Sequence, residues 1–203
     1  MAYNIKLQGK NLAEAESLLK EVGKIFSQHK VKYALDGGTL LGIRRDNKLL
    51  PWDNDVDFCV LDINQEEIAT LCEALRKANF RVRFRYVQKD HPPYFKRGDL
   101  RMIKIRKKRF FGLLKGNVCL DVFVKYRYKQ NYYWLIGDNV IKSVDSAWYA
   151  NMKTIDFQGL SHPKPSPLDG YLKARYGNWE IPNENYNTFV DDNSVLDPAT
   201  DKI

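Results

Sequence analysis

Leu12, Ala15, Leu18, Leu19, Val22, Ile25 and Phe26 recur at helical spacing, which predicts a helix over residues 11–30 with one buried face. Asn11 stands at the expected N-cap, with Glu14 and Glu16 in the first turns. The short apolar run 31–35 reads as a buried strand, broken by Gly37-Gly38-Thr39, and residues 40–45 as a short helix. Residues 47–52 form a loop closed by Pro51. Residues 56–61 are dense in apolar side chains and predict a second strand. Ile68, Leu71, Cys72 and Leu75 mark one side of a helix over 64–79, and Asn64 with Glu67 has capping-box spacing. Strands are expected over 80–87, 100–106 and 117–126, with the last two joined as a hairpin through the Gly112 and Gly116 region.

The last third is less periodic. Residues 132–136 are apolar, and 152–157 read as a strand. Residues 161–167 hold three prolines and are expected to be a loop. A short helix over 168–176 should end at Gly177. Helices and strands mix without strict βα alternation, so the expected fold class is α+β. One domain over 1–182 should be followed by a polar, irregular tail over 183–203.

Composition narrows the function classes. The 203 residues are 44% hydrophobic and 13% aromatic, enough for a real core and unlike a disordered chain. No long apolar run suggests a membrane span, and the polar stretch 1–10 lacks the apolar core of a signal peptide, so the cytoplasm is the expected compartment. Cys59, Cys72 and Cys119 are odd in number and form no C-x-x-C pair, so they read as buried small hydrophobes. The net charge of +8 favours anionic partners: nucleotide phosphates, nucleic acid, anionic glycan or the surface of anionic lipid.

Candidate chemistry is concentrated between residues 35 and 61. Asp55 and Asp57 lie two apart at the start of an apolar strand, so both carboxylates point to one face. Two such carboxylates repel unless a cation lies between them, and Mg²⁺ (or Mn²⁺) takes carboxylate and phosphate oxygens together. Asp53 shares their parity and either reaches the metal or shapes the turn. A turn rich in Asp and Asn would account for Asp53 and Asn54, but not for Asp57 between Val56 and Phe58. Gly37-Gly38-Thr39 ahead of a helix reads either as a phosphate cradle or as a tight turn, with Thr39 capping the helix or bonding phosphate. Asp121, between Leu120 and Val122, is the candidate third acid; the alternative is an acid on an exposed edge strand. The basic run 97–109 is either a solvated face or a track for phosphate, and Trp52 is expected to pack under the acidic loop.

These segments resemble the LicD and fukutin-like family, a branch of the nucleotidyltransferase fold. They read Asp36-Gly37-Gly38-Thr39-Leu40-Leu41-Gly42-Ile43-Arg44-Arg45, Pro51-Trp52-Asp53-Asn54-Asp55-Val56-Asp57, and Leu120-Asp121-Val122-Phe123. A weaker echo is Tyr171-Leu172-Lys173-Ala174-Arg175-Tyr176-Gly177. The doubled glycine departs from the family's more usual single Gly and is closer to the broader nucleotidyltransferase pattern. The cysteine set that binds zinc in some animal relatives is not found.

The resemblance implies a nucleotidyltransferase-type mixed sheet flanked by helices. It further implies a phosphotransferase that moves phosphocholine or a phospho-alditol from a CDP-linked donor to a hydroxyl of a glycan or glycolipid acceptor. Asp55 and Asp57 would hold metal, and Asp121 would be a metal ligand or general base. Gly37, Gly38, Thr39 and Arg44 or Arg45 would hold phosphate. No nucleic-acid partner is expected, and the basic surface is compatible with a peripheral membrane contact. Two other readings stay open: transfer of a nucleotide to a small molecule or protein, and a non-catalytic basic module for nucleic acid.

Overall fold

In the computed structural model, which describes residues 4–196, the first helix α1 runs Lys10–Gln28 and buries Ala15, Leu18, Leu19, Val22 and Phe26. Its N-cap is Gly9, not Asn11; the Asn11 amide instead donates to the Lys6 carbonyl. Strand β1 (Tyr33–Leu35) leads through Asp36 into helix α2 (Gly37–Asp46), so the two glycines form the first turn of the helix and not a separate loop. Strand β2 is Val56–Leu61. Helix α3, Gln65–Lys77, starts with the expected capping box, Asn64 and Glu67 each bonding the other's backbone N–H. Strand β3 follows at Phe80–Tyr86 and β4 at Leu100–Arg109.

A short strand β5 (Leu114–Lys115) folds back on β4 before β6 (Leu120–Tyr128) begins. The sheet order is β1-β2-β6-β4-β3. All neighbours are antiparallel except β2 and β6, so the sheet is mixed. The far end of β6 continues into antiparallel β7 (Asn131–Ile136) and β8 (Val140–Asp145). Strand β8 lacks a clear apolar pattern because Lys142 sits in its middle, and that lysine is buried. Strands β9 (Lys153–Phe157) and β10 (Leu160–Lys164) form a separate two-stranded ribbon. Three prolines argued for a loop at 161–167, but Pro163 pairs with Thr154 inside β10. A ribbon strand has one neighbour only, so the missing N–H is tolerated there. Helix α4, Leu168–Tyr176, ends at Gly177 as expected.

Strand alternation divides the sheet into two faces. Val56, Phe58 and Val60 of β2, Leu120, Val122 and Val124 of β6, and Ile103 and Ile105 of β4 are all buried and aligned in register. This face meets α1, whose Phe26 ring stands 5.7 Å from Phe58. The opposite face carries Asp57 and Cys59, then Asp121, Phe123 and Lys125, and finally Lys104 and Met102. All three cysteines are buried, and none is in a disulfide. The polar segment after Pro182 forms no helix among the described residues, yet it is anchored. Ser143 N–H donates to Ser194 O at 2.8 Å, Leu196 N–H to Ile141 O at 3.0 Å, and Asp192 is buried. Residues 1–3 of the polar N-terminal stretch and 197–203 of the tail lie outside the described residues.

Candidate active site

Register brings the candidate acids together. Asp57 pairs with Asp121 across the parallel β2–β6 boundary, and Asp121 pairs with Lys104 on β4, which pairs with Arg83 on β3. Four strands thus present one row of side chains on one face: Asp57, Asp121, Lys104, Arg83. The adjacent row ends in Arg106 and Arg81. The row floors a cavity of about 1440 Å³ that Asp53, Asp55, Gly37, Gly38 and Arg45 also line.

The start of α2 is clamped to Asp57. Thr39 Oγ1 accepts from Asp57 N–H at 2.9 Å, and Asp57 O accepts from Asp36 N–H at 3.2 Å. Thr39 is therefore buried and does not cap its helix; it holds the backbone of the acid. A Cβ on Gly37 would collide with Asp57 Oδ2, and one on Gly38 with Asp53 Oδ2. Gly37 also has φ +56°, a backbone that side chains disfavour. The doubled glycine leaves room for two carboxylates against the first turn of a helix, whose N–H groups favour negative charge. Asp53 in addition accepts from Asn54 N–H at 2.9 Å and so shapes the turn.

The electrostatics match this crowding. Burial, then the charges of Asp53 and Asp121, push the Asp55 carboxyl up to about 8. Asp57 is raised well above the ordinary range by burial, then by Asp55, Asp53 and Asp121. Burial raises Asp53 as well. Asp121 is buried but partnered: Lys104 Nζ lies 2.5 Å from its Oδ2, and Cys119 Sγ–H donates to Oδ1 at 3.0 Å. Among the described residues no three His, Cys, Asp or Glu side chains are grouped closely enough to ligate a single ion.

The two candidate arginines separate. Arg45 lines the cavity, with its guanidinium 5.8 Å from the Trp52 ring and paired to Asp46. Arg44 points elsewhere, in a two-pronged pair with Asp169 at 2.8 and 3.0 Å, and stands over Trp179. The basic run is only partly a solvated face: Lys104 meets Asp121, Lys107 meets Glu21 and Arg109 meets Glu14.

Beside the acids lies a buried polar network that sequence reasoning did not assemble. Asp36 binds Arg175 Nη1 and Lys125 Nζ, each at 2.6 Å. Arg175 Nη2 reaches Asp192 at 2.6 Å, and Lys142 Nζ reaches the same carboxylate at 2.8 Å. Although burial alone would raise it, Lys125 and Arg175 bring Asp36 down to about 2. Tyr171 donates to Asp36 at 3.2 Å. Tyr171 and Arg175 thus join the first candidate motif to the last. The signal for this was an aspartate just before the glycines and an arginine inside the Tyr171–Gly177 segment, with no spacing rule to link them. The arginines of β3 were also missed, although Phe80-Arg81-Val82-Arg83-Phe84-Arg85 alternates strictly.

Over residues 30–167 the chain matches the LicD/FKTN/FKRP nucleotidyltransferase domain, and it belongs to that family. It is similar to the uncharacterised protein RP689 of Rickettsia prowazekii, with 20% identity over 86% of this chain and 58% of the relative. It is also similar to the uncharacterised protein RT0683 of Rickettsia typhi, with 18% identity over 86% of this chain and 49% of the relative. The chain therefore spans about half the length of the curated relatives it matches. Among solved structures it is similar to ANT(2″)-Ia in complex with adenylyl-2″-tobramycin. The identity there is 13% and the TM-score 0.40, over 85% of this chain and 80% of that one. No helix among the described residues is long and apolar enough to cross a membrane.

Proposed function

We propose that the chain is a metal-dependent phosphotransferase that passes phosphocholine or a phospho-alditol from a CDP-linked donor to a hydroxyl of a glycan or glycolipid. The carrying observation is the crowding of Asp57 with Asp55 and Asp53, with Asp57 and Asp53 packed against the Gly37-Gly38 turn, in a chain of the LicD/FKTN/FKRP family. Two hard oxygen donors that repel each other suit Mg²⁺ or Mn²⁺. Such ions use one or two carboxylates and complete their shell with water and substrate phosphates, so a third protein ligand is not required. When bound, the ion would neutralise charge on the donor diphosphate and on the departing CMP. Asp55 and Asp57 would hold it, and Arg45 at the cavity wall would take a phosphate oxygen.

In the reaction the acceptor oxygen forms a bond to the distal phosphorus of the donor. The bond from that phosphorus to the bridging oxygen breaks, and CMP leaves with the electron pair. Asp121, across the strand boundary from Asp57, is the carboxylate available to take the hydroxyl proton. Lys104, at 2.5 Å, would hold it in position. Arg83 stands three strand spacings from Asp57, about 14 Å. A diphosphate bound at the carboxylates would not span that gap, so Arg83 and Arg81 would meet acceptor charge and not the donor.

The test is product analysis with a CDP-linked donor and with ATP, in the presence of Mg²⁺ and a glycan acceptor. Release of CMP with transfer of the phospho-group supports the proposal. Release of pyrophosphate from ATP with transfer of AMP would replace it with nucleotidyl transfer, a reading that the doubled glycine favours.

A further inference from the structure

The turn between β4 and β5 exposes apolar side chains that the fold does not use. Phe110 is 70% exposed, Leu113 84% and Leu114 55%. Phe110 sits at φ 48° and Gly112 at φ 91°, so two left-handed positions bend the chain into a projecting tip. A bulky residue in that region is uncommon and must be held by its surroundings.

The base of the tip is cationic. Lys108 pairs in register with Lys115, and Arg109 with Leu114. Between Asp99 and Asp121 the sequence has no acidic residue. Lys115 also lines the cavity described above, so the apolar tip stands at the rim of the site. Large apolar side chains at an extremity, backed by lysine and arginine, match the two layers of a membrane surface. Apolar groups enter the acyl boundary while cations meet anionic headgroups. Glu14 and Glu21 pair with Arg109 and Lys107, so Lys108 and Lys115, facing each other across the hairpin, are the cations that would meet an anionic plane beside the apolar tip.

We propose that the tip formed by Phe110, Leu113 and Leu114, with Lys108 and Lys115 at its base, docks the protein on anionic lipid bilayers and holds the cavity mouth at the surface. This inference does not rest on the phosphotransfer reading.

The test is co-sedimentation of the full chain with vesicles of phosphatidylcholine alone, and with vesicles containing about a third phosphatidylglycerol. The chain should partition at least about tenfold more onto the anionic vesicles, and less as salt is raised. The double variant Phe110→Glu, Leu113→Glu should lose about tenfold or more of that binding, as should Lys108→Gln with Lys115→Gln. In the Phe110→Glu, Leu113→Glu variant thermal melting should remain as in the parent, because the tip lies outside the core. Equal binding by the Glu variant, or no binding by the parent chain, would overturn the proposal. So would a concentration-dependent dimer that the Glu variant dissolves, because a second copy would then cover the tip.

Discussion

Asp57 on β2 and Asp121 on β6 stand directly opposite each other in parallel register, and Lys104 on β4 stands opposite Asp121. The two carboxylates are therefore unequal. Asp121 has an ammonium partner at 2.5 Å, whereas Asp57 faces Asp55 and Asp53 and is raised well above the ordinary range. On the proposed reading the two carboxylates do different work: Asp57 with Asp55 holds a cation, and Asp121 takes a proton. Asp57→Asn should abolish turnover and raise the stability of the cation-free protein by about 1 kcal/mol or more, because a buried repulsion disappears. Chemical denaturation in EDTA together with a turnover assay checks both effects, and a destabilised variant would speak against an uncompensated charge.

The same crowding sets a pH dependence. Asp55 is pushed up to about 8 in the folded protein, against an ordinary carboxylate value near 4 in the unfolded chain. Between those values the native state binds more protons than the unfolded one, so the stability of the cation-free protein should fall as pH rises through this window. Saturating Mg²⁺ should flatten the fall, because the ion takes the place of the proton. Denaturation midpoints at about pH 5 and about pH 8, with and without Mg²⁺, read this directly; parallel curves would contradict it.

His162 supplies the opposite slope. It is fully buried against Phe58 and Gly23, among the described residues neither ring nitrogen has a hydrogen-bond partner, and burial lowers it to about 4. A base whose folded value lies below its unfolded value costs stability as pH falls, here from about 6.5 towards 4. His162→Phe should remove up to about 3 kcal/mol of acid sensitivity in that window, if the pocket takes the ring. An unchanged acid limb in urea melts would place the sensitivity elsewhere, with Asp36 and Asp192 the next groups to examine.

Arg175 bridges Asp36 and Asp192, one carboxylate on each Nη. A lysine has a single ammonium and cannot repeat that geometry. Arg175→Lys should cost about 3 kcal/mol, the range seen when one partner of a buried ion pair is removed. Limited proteolysis should then cut first within the segment after Pro182, which Asp192 pins. Cleavage elsewhere, or a loss below about 0.5 kcal/mol, would mean that the network is not what holds the segment.

Much of this was legible in the chain. Helical periodicity gave α1 and α3, and the β2 limits came from one apolar run. The capping box at Asn64 and the stop at Gly177 formed where their chemistry asked. The acidic pair could be read from strand alternation, although β2 starts only at Val56 and Asp55 reaches Asp57 from the bend before it. What could not be read was pairing across strands. Lys104 gives no sign in sequence that it will neutralise Asp121, because register is a property of the assembled sheet. Lys142 hid β8, since a buried lysine looks like a solvent position until Asp192, fifty residues away, supplies its partner. Three prolines hid β10, because the loop rule assumes a ladder on both sides. Thr39 and Arg44 looked like phosphate ligands by position. The fold spends one on the Asp57 backbone and the other on Asp169.

On the proposed reading, Asp55 and Asp57 bind a divalent ion together with the diphosphate of a cytidine-linked donor. Calorimetric titration of CDP-choline into the intact chain, with Mg²⁺ and then with EDTA, reads that binding. Binding should require the ion, exceed that of ATP, and weaken at least about a hundredfold in Asp57→Asn, near 2.7 kcal/mol. Donor binding of equal strength in EDTA, or in Asp57→Asn, would contradict the account.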